Sequence, residues 1–189
     1  MERTIKEAEQ RIKHHLRDNL ILTKQEGEYV EFFLKNAQNS LESASCLFAI
    51  STKHNYVPFE DLNGFLWVIN ASYYSMFYMA RALLEHSGIK LKADLSIHLL
   101  TFDALIHFLY VNNKLQKKLI DQYKDAQEEA AEILGKEKAT TLIQGYHHEK
   151  RKRAQFTYET GTHAMENKAK TSLERARQFN TEIKKLIEK

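Results

Sequence analysis

Six glycines and a single proline are all that punctuate this 189-residue sequence. Average usage would supply about 7% glycine and 5% proline, so the chain has few positions at which it can reverse direction. That scarcity argues against a sandwich, a barrel or a many-looped α/β enzyme, and for a few long helices. It also excludes a backbone phosphate cradle. The glycines, at 27, 64, 88, 135, 145 and 161, never come closer than ten residues, so neither a Walker A loop nor a dinucleotide fingerprint can form. The length favours one domain.

Hydrophobic spacing predicts six or seven helices. In the first, Ile5, Ala8, Ile12, Leu16 and Leu20 recur at steps of three and four, and the helix is expected to end near 24–27. A second, over 28–51, places Phe32, Phe33, Ala37, Leu41, Ala44, Leu47 and Phe48 inward, with Cys46 also on an inward stripe. Pro58 breaks the chain, because it pushes the preceding residue out of helical geometry. A third helix, 59–86, is apolar over most of its circumference and so belongs at the centre. A fourth over 94–110 meets a polar stop at Asn112-Asn113, and a fifth over 114–134 is closed by Gly135. A sixth over 137–158 is broken at 160–162, and a last runs over 164–188. Residues 1–25 form an amphipathic extension ahead of a bundle domain over 28–188.

Charge and cysteine set looser bounds. The net charge of +3 is too small by itself to declare a nucleic-acid partner. Cys46, the one cysteine, excludes an internal disulfide and a Cys-based metal cluster, which fits a reducing cytoplasm. The first fifteen residues lack the apolar stretch of a signal peptide. The most apolar segment, 65–84, carries Asn70, Ser72, Tyr73, Tyr74, Ser75, Tyr78 and Arg81, so it reads as a buried helix and not a membrane span. No metal site is expected: none of the nine histidines lies four from another, and adjacent pairs diverge by about 100° on a helix.

Two clusters could carry chemistry. The first is His147-His148-Glu149-Lys150-Arg151-Lys152-Arg153, close before Tyr158; from 147 onward eleven Lys and Arg face six Glu. A basic run beside aromatic rings can hold phosphates while a ring stacks on a base, although a solvated helix face would look the same. The second is Tyr73-Tyr74 with Tyr78 and Arg81. Helical spacing puts Tyr74, Tyr78 and Arg81 on one face and turns Tyr73 with Phe77 to another. A buried Arg81 needs a carboxylate, carbonyl or phosphate, and Asp61 or Glu85 could serve.

Several ordered motifs resemble the HEPN domain family over about residues 30–188: 34–44 (LKNAQNSLESA), 71–84 (ASYYSMFYMARALL), His98, Arg153 with Tyr158, and the closing helix 169–187. The resemblance implies an up-and-down antiparallel bundle of four to five core helices plus the N-terminal helix, usually a homodimer. It further implies binding of RNA or a nucleotide, in a toxin-antitoxin-like pair with a minimal nucleotidyltransferase, without a cofactor. Many members are metal-independent endoribonucleases that carry an Arg followed four to six residues later by a His. This sequence departs there: after Arg153, with four residues between, comes Tyr158, and a phenol of ordinary pKa about 10 is a poor base near neutrality. His98, His147 or His148 would have to replace it. The expected RNA or nucleotide contacts are Arg151, Lys152, Arg153, Tyr74 and Arg81. A helical adaptor whose charged residues pair internally is the blander alternative.

Overall fold

The computed structural model describes residues 2–53, 62–92, 97–144 and 154–188, the side chains of 134–144 and 154–164 excepted. The elements are α1 (Glu2–Arg17), β1 (Ile21–Leu22), α2 (Val30–Thr52), α3 (Phe65–His86), β2 (Lys90–Leu91), α4 (Ile97–Ala104) continuing into a π-helical segment (Leu105–Tyr110), α5 (Lys117–Gln144) and α6 (Ala154–Ile187). The chain is an all-α helical bundle.

Helix α3 is the central element, buried along nearly its whole length. Its partner α2 runs antiparallel to it: Phe33 stacks on Tyr78, the Ala37 carbonyl meets Ser75, and Phe48 meets Phe65. Helix α6 runs in the direction of α3. Phe65, Val68 and Ile69 share a cluster with Ala169 and Leu173, and Ser75 is bonded to Asn180. Helix α5 opposes α6, through Gln122 to Gln178 at one level and Glu129 to Ser172 and Arg175 at the next. The four long helices therefore alternate in direction, the arrangement of an up-and-down bundle.

Helix ends follow local chemistry. Gly88, at φ 76°, closes α3 with the paired bonds Gly88 N–H to Glu85 O and Ile89 N–H to Leu84 O, the Schellman pattern that glycine permits without strain. Helix α3 opens at Phe65, later than the expected start at 59. Its entry is set by Gly64, whose N–H donates to Ser51 Oγ at 2.8 Å. A Cβ at Gly64 would lie 2.9 Å from that oxygen, so glycine allows the close approach. The π-helical segment that follows α4 stops at Tyr110, where the helix was expected to end, with Asn113 in the left-handed region at φ 57°.

Other expectations are corrected. Helix α1 ends at Arg17, because Asn19 turns the chain at φ 54° and Ile21-Leu22 pair with Leu91-Lys90 as a short antiparallel ladder. Gly135 does not end α5, and no break occurs at 160–162 within α6. An isolated helical glycine costs about 1 kcal/mol relative to alanine, which a long packed helix absorbs. The predicted sixth helix is accordingly divided between the end of α5 and the start of α6, with 145–153 outside the described residues. Phe32 and Cys46 are exposed, since the buried face of α2 is the narrower stripe Phe33, Ala37 and Ala44.

The N-terminal helix joins the main core: Ala8 and Ile12 are fully buried in the same cluster as Met76, Leu105 and Phe179. It is fixed by a contact that spacing does not announce. Arg11 grips Asp103 on α4 with two parallel bonds, Nε to Oδ2 at 2.6 Å and Nη2 to Oδ1 at 2.9 Å. The Asp103 side chain is wholly buried and that of Arg11 is 36% exposed, so among the described residues this fork is what holds the carboxylate. Hydrogen bonding to Asp103 holds the guanidinium pKa above its ordinary value. Arg11→Ala should destabilise the fold by about 2–4 kcal/mol in urea unfolding, because it leaves a buried charge unpaired. Arg11→Met combined with Asp103→Leu should recover most of that loss.

Candidate functional site

The adjacent tyrosines of α3 diverge by one helical step of about 100°, and the structure sends them to different environments. Tyr73 turns inward. Its hydroxyl lies 2.8 Å from His98 Nδ1 on α4, and its ring meets that of Tyr123 on α5 at 6.2 Å. Tyr74 is 40% exposed and touches the edges of Phe77 and His98. His98 is thus clasped between Phe77, 4.4 Å away, and both tyrosines, and it links a surface ring to the core.

Burial sets the protonation of this cluster. Desolvation pushes the phenols of Tyr73 and of the wholly buried Tyr123 well above their ordinary value, so both remain protonated at neutral pH. The Tyr123 hydroxyl faces that of Tyr73 but makes no well-formed hydrogen bond. Desolvation, then the charge of Arg81, lowers the His98 pKa. The imidazole is neutral at neutral pH, and its Nδ1 shares a hydrogen bond with the Tyr73 hydroxyl. Neither phenol offers a base.

Arg81 lies among these groups but is buried. One guanidinium nitrogen donates to the Leu91 carbonyl at 2.9 Å, and the ion sits 4.6 Å over the Phe33 ring. Of the two carboxylates expected to pair with it, Asp61 lies outside the described residues. Glu85 is buried beside it, but Arg81 Nε and Glu85 Oε2 each lack a hydrogen-bond partner. Burial lowers the Arg81 pKa and raises that of Glu85. Arg81 therefore ties α3 to β2 and biases His98 electrostatically.

Beside Tyr74 an open surface groove of roughly 460 Å³ lies between α2 and α3, lined on the α3 side by Trp67, Asn70, Tyr74 and Tyr78 and on the α2 side by Asn36 and Asn39 among others. Trp67 is 58% exposed. The sequence reading identified Tyr74 and missed Trp67 and the asparagines. The available signal was the stripe 67, 70, 74, 78 on α3, where an otherwise apolar helix turns aromatic and polar, facing the small polar residues 36, 39, 40 and 43 on α2. Each stripe looks like solvent exposure by itself, and only their apposition makes a site.

Of the expected site residues, Tyr74 and His98 are in ring contact, and Arg81 acts on His98 electrostatically. His147, His148, Arg151, Lys152 and Arg153 lie outside the described residues, and Tyr158 falls in the second turn of α6, its side chain likewise outside. Among the described residues no group of three or more His, Cys, Asp or Glu is placed to hold a metal ion, and no helix is long and apolar enough to cross a membrane. No family model, curated protein or solved structure matches the chain.

The lowered His98 pKa has a thermodynamic consequence. Between the folded value and the unfolded value of about 6.5, the unfolded chain binds more protons. The His98 contribution is complete above about pH 6.5 and is lost as pH falls through the folded value. Glu85, shifted upward, acts in the opposite sense from about pH 4.5 upward. Chemical-denaturation stability measured from pH 7 to 5 should fall less for His98→Gln than for the wild type, once each is referred to its own value at pH 7.

Proposed function

We propose that this chain is an HEPN-type protein that binds RNA or a nucleotide through helix-borne side chains, acting as a homodimer in a toxin-antitoxin-like pair with a minimal nucleotidyltransferase. The observation that carries the binding reading is the α2–α3 groove, where Trp67, Tyr74 and Tyr78 stand opposite Asn36 and Asn39. Aromatic stacking contributes about 1–3 kcal/mol per base, and neighbouring amides can bond to base edges. The sequence supplies the complementary part, the basic run 147–153, in which Arg151, Lys152 and Arg153 would neutralise phosphates. The family and the partner rest on the ordered sequence motifs.

Binding is preferred to cleavage on chemical grounds. In-line attack by a ribose 2′-hydroxyl needs a group that can accept its proton. Tyr158 stands where active family members carry histidine, and the Nδ1 of His98 is engaged by Tyr73. A ribonuclease would have to draw its base from His147 or His148.

Mixed-sequence RNA 12-mers followed by fluorescence anisotropy test the reading. Affinity should fall at least tenfold between 50 and 200 mM salt, while Arg153→Ala should bind about three- to tenfold more weakly with a shallower salt slope. The RNA should stay intact with or without EDTA. Salt-independent or absent binding would leave the adaptor alternative, whereas Arg153-dependent cleavage yielding 2′,3′-cyclic phosphate ends would establish the ribonuclease. Sedimentation at micromolar concentration should give a dimer, which needs roughly 800 Å² buried per partner.

A further inference from the structure

The rings along the α2–α3 groove form two separate platforms. Tyr74 and Tyr78 lie 6.2 Å apart with their planes inclined by 38°. A base seated between two rings needs about 7 Å, since each stacked layer takes about 3.4 Å, so this pair admits none and acts as one surface. Tyr74, although 40% exposed, is steadied by contacts with Phe77 and His98. Trp67 is the second platform, 58% exposed. It stands seven residues before Tyr74, on the same face of α3 and about 10 Å away along the helix axis.

That spacing decides the strand state of the ligand. A duplex strand advances about 3.4 Å per nucleotide, so 10 Å corresponds to about three steps. Inside a duplex each of those bases has both faces covered by its neighbours, and neither platform meets a base until one leaves the stack. Extruding a paired base costs about as much as one aromatic contact returns, so the two platforms gain nothing from a duplex. An unpaired strand presents its base faces without that cost.

The lining fixes what else is read. None of the residues lining the groove is charged, in a chain where 28% of residues are, so bases enter and phosphates stay outside. On the α2 side Asn39 and Ser43 are exposed, and Asn36 and Ser40 half-buried. Asn36 Nδ2 donates to the Phe32 carbonyl and Ser43 Oγ to the Asn39 carbonyl. Their oxygens remain as acceptors, and the Asn39 amide adds donors. Donors and acceptors side by side suit the edge of any base. A second copy of the chain would meet this wall of amides and hydroxyls where interface cores are mostly apolar.

We propose that the α2–α3 groove selects unpaired RNA over duplex, seating one base on Trp67 and another on the Tyr74–Tyr78 surface by stacking, without regard to base identity and without contact to phosphate. The selection rests on the binding function proposed above and adds the strand state of the ligand. Attraction for phosphates is common to both strand states, and the groove supplies the difference between them.

The test compares one fluorescein-labelled mixed-sequence RNA 12-mer, single-stranded and annealed to its complement, on the full chain at about 200 mM salt, where phosphate contacts are weakened. The single strand should bind about tenfold more tightly, the return expected of one or two stacked bases, and 12-mers of permuted sequence should agree within about threefold. Trp67→Ala and Tyr74→Ala should each weaken the single strand about fivefold while its salt slope is retained, because no phosphate contact is removed. The comparison of strand states needs no variant, so it stands if either variant fails to fold. Equal affinity for single strand and duplex would overturn the selection and leave RNA binding standing. A shallower salt slope in Trp67→Ala would overturn the exclusion of phosphate from the groove. Failure to bind either form would overturn both readings. Conversion of a dimer to a monomer by Tyr74→Ala, with affinity for the single strand unchanged, would assign the groove to a second copy of the chain and overturn the selection.

Discussion

One hydroxyl holds the bundle together at its centre. Ser75 Oγ, wholly buried, donates to the Ala37 carbonyl at 2.7 Å and accepts from Asn180 Nδ2 at 2.6 Å, so α2, α3 and α6 meet at a single atom. Such an approach requires small side chains, and Ala37 and Ser75 supply them. A buried network of this kind fixes both register and rotation of the helices it joins. With Ser75 held inward, the helical repeat turns Trp67, Asn70, Tyr74 and Tyr78 toward the surface groove between α2 and α3. The groove is in this sense a consequence of the junction.

The same rotation drives Tyr73 into contact with His98 and Tyr123 while leaving Tyr74 at the surface. The result is an interior whose titratable groups are held neutral, two phenols protonated and one imidazole uncharged, beside a guanidinium bonded to a backbone carbonyl. Those groups are suited to donating hydrogen bonds and poorly suited to moving protons. This is why recognition, and not catalysis, is the more economical reading of the α3 surface.

The fold class was legible because it depends on a property of the whole chain: with so few breakers, long helices are the only way to satisfy backbone hydrogen bonds. The central helix was legible because it is apolar all round. Individual stops were less so, since Gly135 and Gly161 carry a small penalty that tertiary packing overrides, while Gly88 ends α3 because its φ of 76° is used. Phe32 and Cys46 misled because α2 buries a stripe only one residue wide per turn. The Arg11–Asp103 fork joins positions 92 residues apart and leaves no periodic trace. The groove was half legible: Tyr74 stood out beside Tyr73, whereas Asn70 and Trp67 gained meaning only when α2 supplied the opposite wall.

Trp67 is the sole tryptophan and lies on the groove wall, which makes the central claim directly observable. Titrating the protein with the mixed-sequence RNA 12-mers while recording tryptophan emission should give a saturable change that tracks binding measured independently by anisotropy. RNA that binds to saturation while Trp67 emission stays constant would contradict the account, because the nucleic acid would then be held away from the groove.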